Sequence, residues 1–211
     1  MFSATTVLLA GLTAGAWDPG FRIDGLATVQ LFANTAEHPD AAAAAEAWRR
    51  VEEHARGTAG VRSAATVSAG PLFGGRETDV YRTAASLTGG ALPSLRWYDA
   101  SPGYFDALAR PLVTGRDFEP TDALGSERVA IVNETLARRA FPGIDPLGAT
   151  IELPESDLSF RVIGIAADVP PLVPGEDVES ELFWSNRQLP TWGSFLVVRL
   201  EPGTPISAVE A

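Results

Sequence analysis

The sequence predicts an α+β fold, and three observations carry that prediction. Residues 23–69 read as strand, helix, strand. A strongly apolar strand with a helix start behind it comes only near the far end, from Phe195 onward. Between them lie several short strands and two short helices, each introduced by a cap and closed by a break. Runs of this kind, without regular β-α alternation, indicate helices gathered on a mixed or antiparallel sheet. The β-α-β unit and the late strand look like two parts of one ferredoxin-like sheet. The segment between them then reads as an inserted subdomain of strands and short helices. Composition alone leaves a single mixed domain equally open.

Met1 to Trp17 carries no charged residue and contains Val7-Leu8-Leu9-Ala10 and Leu12. As a helix it would span roughly 25 Å, a little short of a bilayer core. Three readings stay open: the outer part of a membrane helix, a signal-peptide apolar region ending at Ala14-Gly15-Ala16, or a buried helix. Ile23 to Phe32 alternates as a strand, with Ala27, Val29 and Leu31 on one face. Asp40 is placed to cap a helix over Ala41–Arg56, on which Ala44, Trp48, Val51 and Ala55 form one apolar stripe. The charges at Glu46, Arg49, Glu52, Glu53 and Arg56 fall mostly off that stripe. Gly57 and Gly60 end the helix, and Val61 to Ala69 alternates again, grouping Val61, Ala65 and Val67.

Glu77 to Leu87 is a further strand, and Leu95 to Ala100 brings the chain to its most patterned stretch, Tyr98 to Gly148. There, Ser101 reads as an N-cap with Pro102 in the first helical position, and Tyr104, Phe105 and Leu108 share a face before Pro111. Val129-Ala130-Ile131-Val132 is a buried strand, and Asn133 caps the next helix. Glu134 in its first turn and Arg138-Arg139 near its end suit the helix dipole. Phe141-Pro142-Gly143 and Asp145-Pro146-Leu147-Gly148 are turns. Ala149 to Leu153 and Phe160 to Val169 read as a hairpin, Pro170 to Glu179 as a surface loop, and Glu181 to Gln188 and Phe195 to Leu200 as strands. Thr204 with Pro205 then opens a last helix.

The succession S-P-G-Y-F, G-R-D-F, V-A-I-V-N-E-T-L-A-R-R-A-F-P and D-P-L-G, from Ser101 to Gly148, resembles the MacB-like periplasmic core domain of FtsX-type ABC transporter permeases. The resemblance implies a membrane-proximal ferredoxin-like subdomain (18–97 and 191–211, incomplete at its C-terminal side) and an inserted subdomain (98–190). It favours reading residues 1–17 as the end of a membrane helix, and the chain as a fragment. It also implies a non-catalytic domain facing the periplasm or cell exterior, which transmits conformational change or engages a substrate or partner there. The implied partners are the rest of the permease, an ATP-binding subunit or domain, and an extracytoplasmic adaptor, in a transporter that is a dimer. The alternative is a free-standing exported interaction module released by cleavage near Ala16.

Composition narrows the chemistry. A net charge of -11 argues against nucleic acid, because neutralising phosphates needs a basic surface. With no cysteine, disulfides, thiolate catalysis and cysteine-zinc sites are excluded. No lysine is present to serve a phosphate-binding loop, and no G-x-S-x-G elbow occurs. His38 and His54 read as surface histidines. Asp117, Glu119 and Asp122 cluster in a turn, without the spacing of an EF-hand. The sequence therefore implies no catalytic, cofactor or metal residues. Three positions stand as candidate partner contacts: Arg116, whose competing reading is an ion pair holding the inserted lobe, and Trp184 and Trp192. Tryptophan is enriched at binding hot spots, although core packing is the commoner fate of an aromatic on a strand.

Overall fold

The computed structural model of the chain describes residues 3–7, 19–32, 40–69, 76–78, 82–83, 95–153, 157–171, 175–191 and 193–205. The strands form one mixed sheet, so the α+β class holds. Its first group contains β1 (Ser3–Val7), β2 (Leu26–Phe32), β3 (Val61–Val67) and β12 (Gly193–Leu200). They lie in the order β1-β2-β12-β3, all antiparallel. The β-α-β unit is thus split, with the late strand β12 inserted between β2 and β3. The second group runs β6 (Leu95–Ala100), β11 (Glu181–Ser185), β8 (Val129–Asn133), β10 (Leu158–Ala166) and β9 (Thr150–Leu153). Three short strands flank it: β4 (Arg76–Thr78) on β6, β5 (Arg82–Thr83) on β9 and β7 (Leu112–Gly115) on β10. The two groups meet at a single residue pair, Val67 with Ala100. The strand β6 pairs with β11 from Arg96 to Ala100, so the 97/98 boundary falls within a continuous strand.

Helix α1 (Ala41–Gly57) forms where the alanine-rich sequence places it, and the Asp40 carboxylate accepts from the Ala43 N–H as its cap. Its stripe packs on one face of the first group: Ala55 with Ala27, Ala64 and Val198, and Trp48 with Leu31, Val29 and Leu196. On the opposite face, Leu26, Ala65, Val67 and Val197 join a larger core with Phe21, Tyr104, Phe105, Leu108, Ile131 and Phe183. Helix α2 (Tyr104–Leu108) brings its aromatics to that face, so one apolar core continues under both strand groups. A second core lies on the other side of the second group, beneath helix α3 (Glu134–Ala140), around Leu136, Phe160, Leu182 and Trp184. Asn133 caps α3 by accepting from the Leu136 N–H. No described helix is long and apolar enough to cross a membrane.

Four local expectations are corrected. Ser3–Val7 is a strand paired with β2 rather than part of a helix; Thr5, Thr6 and Val7 are β-branched, and the edge of β2 supplies their ladder. Residues 8–18 lie outside the described set, as do Val80, Tyr81 and residues 84–94 of the Glu77–Leu87 strand and the loop after it. Val61 does not share a face with Ala65 and Val67, because the register slips one residue opposite Arg199 and Leu200 and moves Val61 to the α1 side. Ser101 does not cap α2. Its hydroxyl accepts from the Thr66 N–H at 2.9 Å, and the helix instead starts at Gly103 in a left-handed conformation. Glu52 is not off the α1 stripe: its side chain is fully buried.

Candidate functional site

Gly115, Arg116 and Asp117 leave β7 in a turn that only glycine can begin. Gly115 has φ +81°, and a Cβ there would lie 2.3 Å from the Ile163 carbonyl oxygen and 2.6 Å from Gly164 Cα. Gly164 returns the approach, since a Cβ there would lie 2.6 Å from the Arg116 carbonyl oxygen. With the backbones this close, Arg116 turns along its own loop. Its guanidinium forks onto Asp122, at 2.7 and 3.0 Å, and reaches the Asp117 carbonyl at 2.9 Å. Asp122 also accepts from the Glu119 N–H at 2.8 Å. Burial pushes the Asp122 carboxyl up, but the bonds from Arg116 and Glu119 outweigh it and hold the group below the usual carboxylate range. The Arg116 guanidinium is raised in turn, chiefly by Asp122. Asp117 moves the other way. Burial raises it against the bonds it accepts from the Phe118 and Gly103 N–H groups.

Arg116 is thus the brace of loop 116–122: its guanidinium engages Asp122, backbone N–H groups engage Asp117, and the exposed Glu119 carboxylate accepts from the Thr121 hydroxyl at 3.5 Å. Among the described residues no group of three His, Asp or Glu side chains is placed to hold a metal. The loop continues into a cleft of about 500 Å³ walled by Leu124, Ser126, Arg128, Arg161, Gln188 and Leu189. Arg161 there is paired with Glu127 at 2.8 Å, and Gln188 is buried and holds Ser126 and the Glu127 carbonyl. Among the described residues of the cleft, the Ser126 hydroxyl donates to the Ala123 carbonyl at 2.9 Å.

Trp184 lies in the core, 5% exposed, stacked between Trp97 (centroids 4.3 Å apart) and Phe160 (5.3 Å). Its place on the inward face of β11 removes it as a surface anchor. Trp192 lies outside the described residues. The three sequence candidates are therefore not brought together as one described surface.

Two buried polar clusters escaped the sequence reading. Arg199, on β12 and 5% exposed, donates to three backbone carbonyls: Ala107 at the end of α2 (2.9 Å), Asp24 (2.6 Å) and Arg22 (2.6 Å). Burial lowers its affinity for the proton, and the carbonyl dipoles take the place of a carboxylate. It ties the lead-in to β2 to both α2 and β12. The only sequence signal was a cation inside F-L-V-V-R-L. The second cluster surrounds Glu52, which accepts from Thr66 Oγ1 (2.5 Å) and Arg187 Nη2 (2.6 Å). Its signal was spacing, four residues after Trp48 and three before Ala55 on a helix.

The comparisons agree with this architecture. The sequence matches the family described as the MacB-like periplasmic core domain over residues 2–211. The fold is similar to the periplasmic region of MacB from Actinobacillus actinomycetemcomitans, at TM-score 0.55 and 16% identity, over 77% of this chain and 68% of that one. It is also similar to the extracellular domain of the noncanonic ABC-type transporter YknZ from Gram-positive bacteria, at TM-score 0.52 and 17% identity, over 73% of each chain. No curated protein matches. A family match across nearly the whole sequence, with the same fold in two solved relatives, shows that this chain belongs to the MacB-like periplasmic core domain family of ABC transporter permeases.

Proposed function

We propose that the chain is a non-catalytic extracytoplasmic domain that passes movement of a permease's membrane segments to a substrate or partner outside. It would work with an ATP-binding subunit or domain, with an adaptor on the outer side, in a dimeric transporter. The inserted lobe (98–190) would be the outward part, and residues 18–97 with 191–211 the part nearest the membrane. Residues 116–122 would present a stiff, pre-shaped surface there, with Arg116 as its brace.

One observation carries this reading: the lead-in to β2 and the end of β12 lie side by side, while β1, on the other edge of β2, starts at the opposite end of that strand. The Leu200 N–H donates to the Gly25 carbonyl at 2.7 Å, and β2 and β12 are antiparallel neighbours with Leu26 opposite Arg199. Displacement of the lead-in to β2 against the segment that follows β12 therefore acts directly on this strand pair. Arg199 and the Arg22 N–H, which donates to the Leu108 carbonyl at 3.1 Å, link the same point to α2 and its core.

The test is topological. In the complete gene product expressed in its host, His54→Cys introduces a lone thiol at an exposed position of α1 into a chain that has none. Reaction with a membrane-impermeant maleimide in intact cells, on protein retained in the membrane fraction, is the expected result. Labelling only after lysis would refute an extracytoplasmic location. Release of a shortened, labelled protein into the medium would favour the free-standing exported module.

A further inference from the structure

The join between the two strand groups has unlike faces. On the α2 side it is apolar and continuous: Val67, Val197 and Leu26 share one core with Ala100, Tyr98 and Phe183. Contacts of that kind are non-directional and survive small rotations. On the α1 side the join is a buried polar cluster. Glu52, with a fully buried side chain, accepts from Thr66 on β3 and from Arg187, which follows β11 in the second group. Asn186 Nδ2 donates to Thr66 Oγ1 at 2.7 Å, and the Asn186 N–H donates to the Ala100 carbonyl at 3.0 Å. Arg56 reaches from α1 across the join to the Pro102 carbonyl at 3.2 Å. These bonds depend on direction and distance, so a rotation that parts their ends by about 1 Å would break them. Among the described residues the strand ladder joins the groups at one bridge pair, Val67 with Ala100, flanked by bonds from the Ser68 N–H to the Asp99 carbonyl and from the Ser101 N–H to the Thr66 carbonyl.

We infer that Glu52 and Arg187 form a latch that fixes the angle between the two strand groups, with the apolar α2 side as the hinge. Three features separate a latch from ordinary core packing. The Glu52–Arg187 bond spans 135 residues and joins the two groups, whereas the exposed ion pairs of Glu46 with Arg49 and Arg50 stay within α1. The carboxylate is fully enclosed, so removing Arg187 leaves it only the longer ion pair with Arg56, at 3.6 Å, and the cheapest relief is to open the join to water. The closed arrangement also leaves Asn186 Oδ1, in a residue 2% exposed, with no hydrogen bond among the described residues, which narrows the preference for that arrangement. The inference goes beyond the transport reading and is tested on the chain itself, so it stands or falls separately.

The test uses the absence of native cysteine. Spin labels at His54→Cys on α1 and Ile144→Cys in the exposed turn after α3 report the distance between the groups by pulsed electron resonance. The parent should give one narrow distribution. Arg187→Met should add a second, displaced population, the open arrangement gaining about a hundredfold relative to the closed one. Arg187→Lys should restore most of the narrow peak. An unchanged distribution in an Arg187→Met chain with parental circular dichroism overturns the latch. So does equal broadening in Arg161→Met, which removes an exposed ion pair away from the join. If Arg187→Met fails to fold, Glu52→Gln, which keeps the side chain's shape without its charge, is judged by the same criteria.

Discussion

Replacing Gly115 by alanine should be among the most damaging single-methyl changes in the molecule. Two costs add. At φ +81° an L-residue meets its own carbonyl, which costs about 1–2 kcal/mol. The new methyl would also lie 2.3 Å from the Ile163 carbonyl oxygen and 2.6 Å from Gly164 Cα, both backbone atoms that no rotamer change can move. Overpacking against an unyielding neighbour adds about 1–3 kcal/mol, for a total of about 2–5 kcal/mol. For a chain of this length each kcal/mol lowers Tm by about 2–4 °C, so a fall of roughly 5–15 °C is expected by calorimetry. Gly125→Ala is the matched control. Its φ is +86° but nothing lies within 4 Å of the added Cβ, so only the conformational cost, about 1–2 kcal/mol, applies. Equal losses of Tm in the two variants would refute the argument that close backbone approach, rather than handedness alone, demands glycine at 115.

Further outcomes follow from the same structure. Trp184→Ala should cost about 3–5 kcal/mol in chemical denaturation and erase much of the near-ultraviolet dichroism, because two rings lose their stacking partner; loss of partner binding at full stability would instead restore the surface reading. Asp122 has a depressed carboxyl in the folded state, so its contribution is present above the ordinary aspartate value and lost as pH falls through the depressed one. Asp122→Asn should flatten the acid side of the stability–pH curve over that window, and an unaltered acid limb would exclude the linkage. Arg199→Met strands the carbonyls of Arg22, Asp24 and Ala107, at about 1–3 kcal/mol for each one left dry, so amide exchange at residues 22–26 should accelerate more than in α1.

The sequence made local chemistry legible and long-range chemistry illegible. The Asp40 and Asn133 caps, the Glu134 to Arg139 charge order and the hairpin of β9 and β10 were readable because each depends on neighbours within a few positions. Ser101 had the right local grammar for a cap, but its hydroxyl meets Thr66, 35 residues away, which no local pattern contains. Glu52 failed similarly: charge suggested solvent, whereas Arg187, 135 residues on, made burial tolerable. The slip near Val61 arises from pairing with Arg199 and Leu200, strands that meet only when the chain returns. The candidate contacts divided by the same rule. The Arg116 brace is closed within its own loop, whereas the stacking of Trp184 depends on rings from β6 and β10.

The contact between Gly25 and Leu200 brings the two ends of the stretch from residue 25 to residue 200 side by side. Neighbouring strands run about 5 Å apart, so that stretch begins and ends within about one strand spacing. A segment grafted between residues 25 and 200 would carry the β2–β12 pair with it and leave β1 to be supplied by the host.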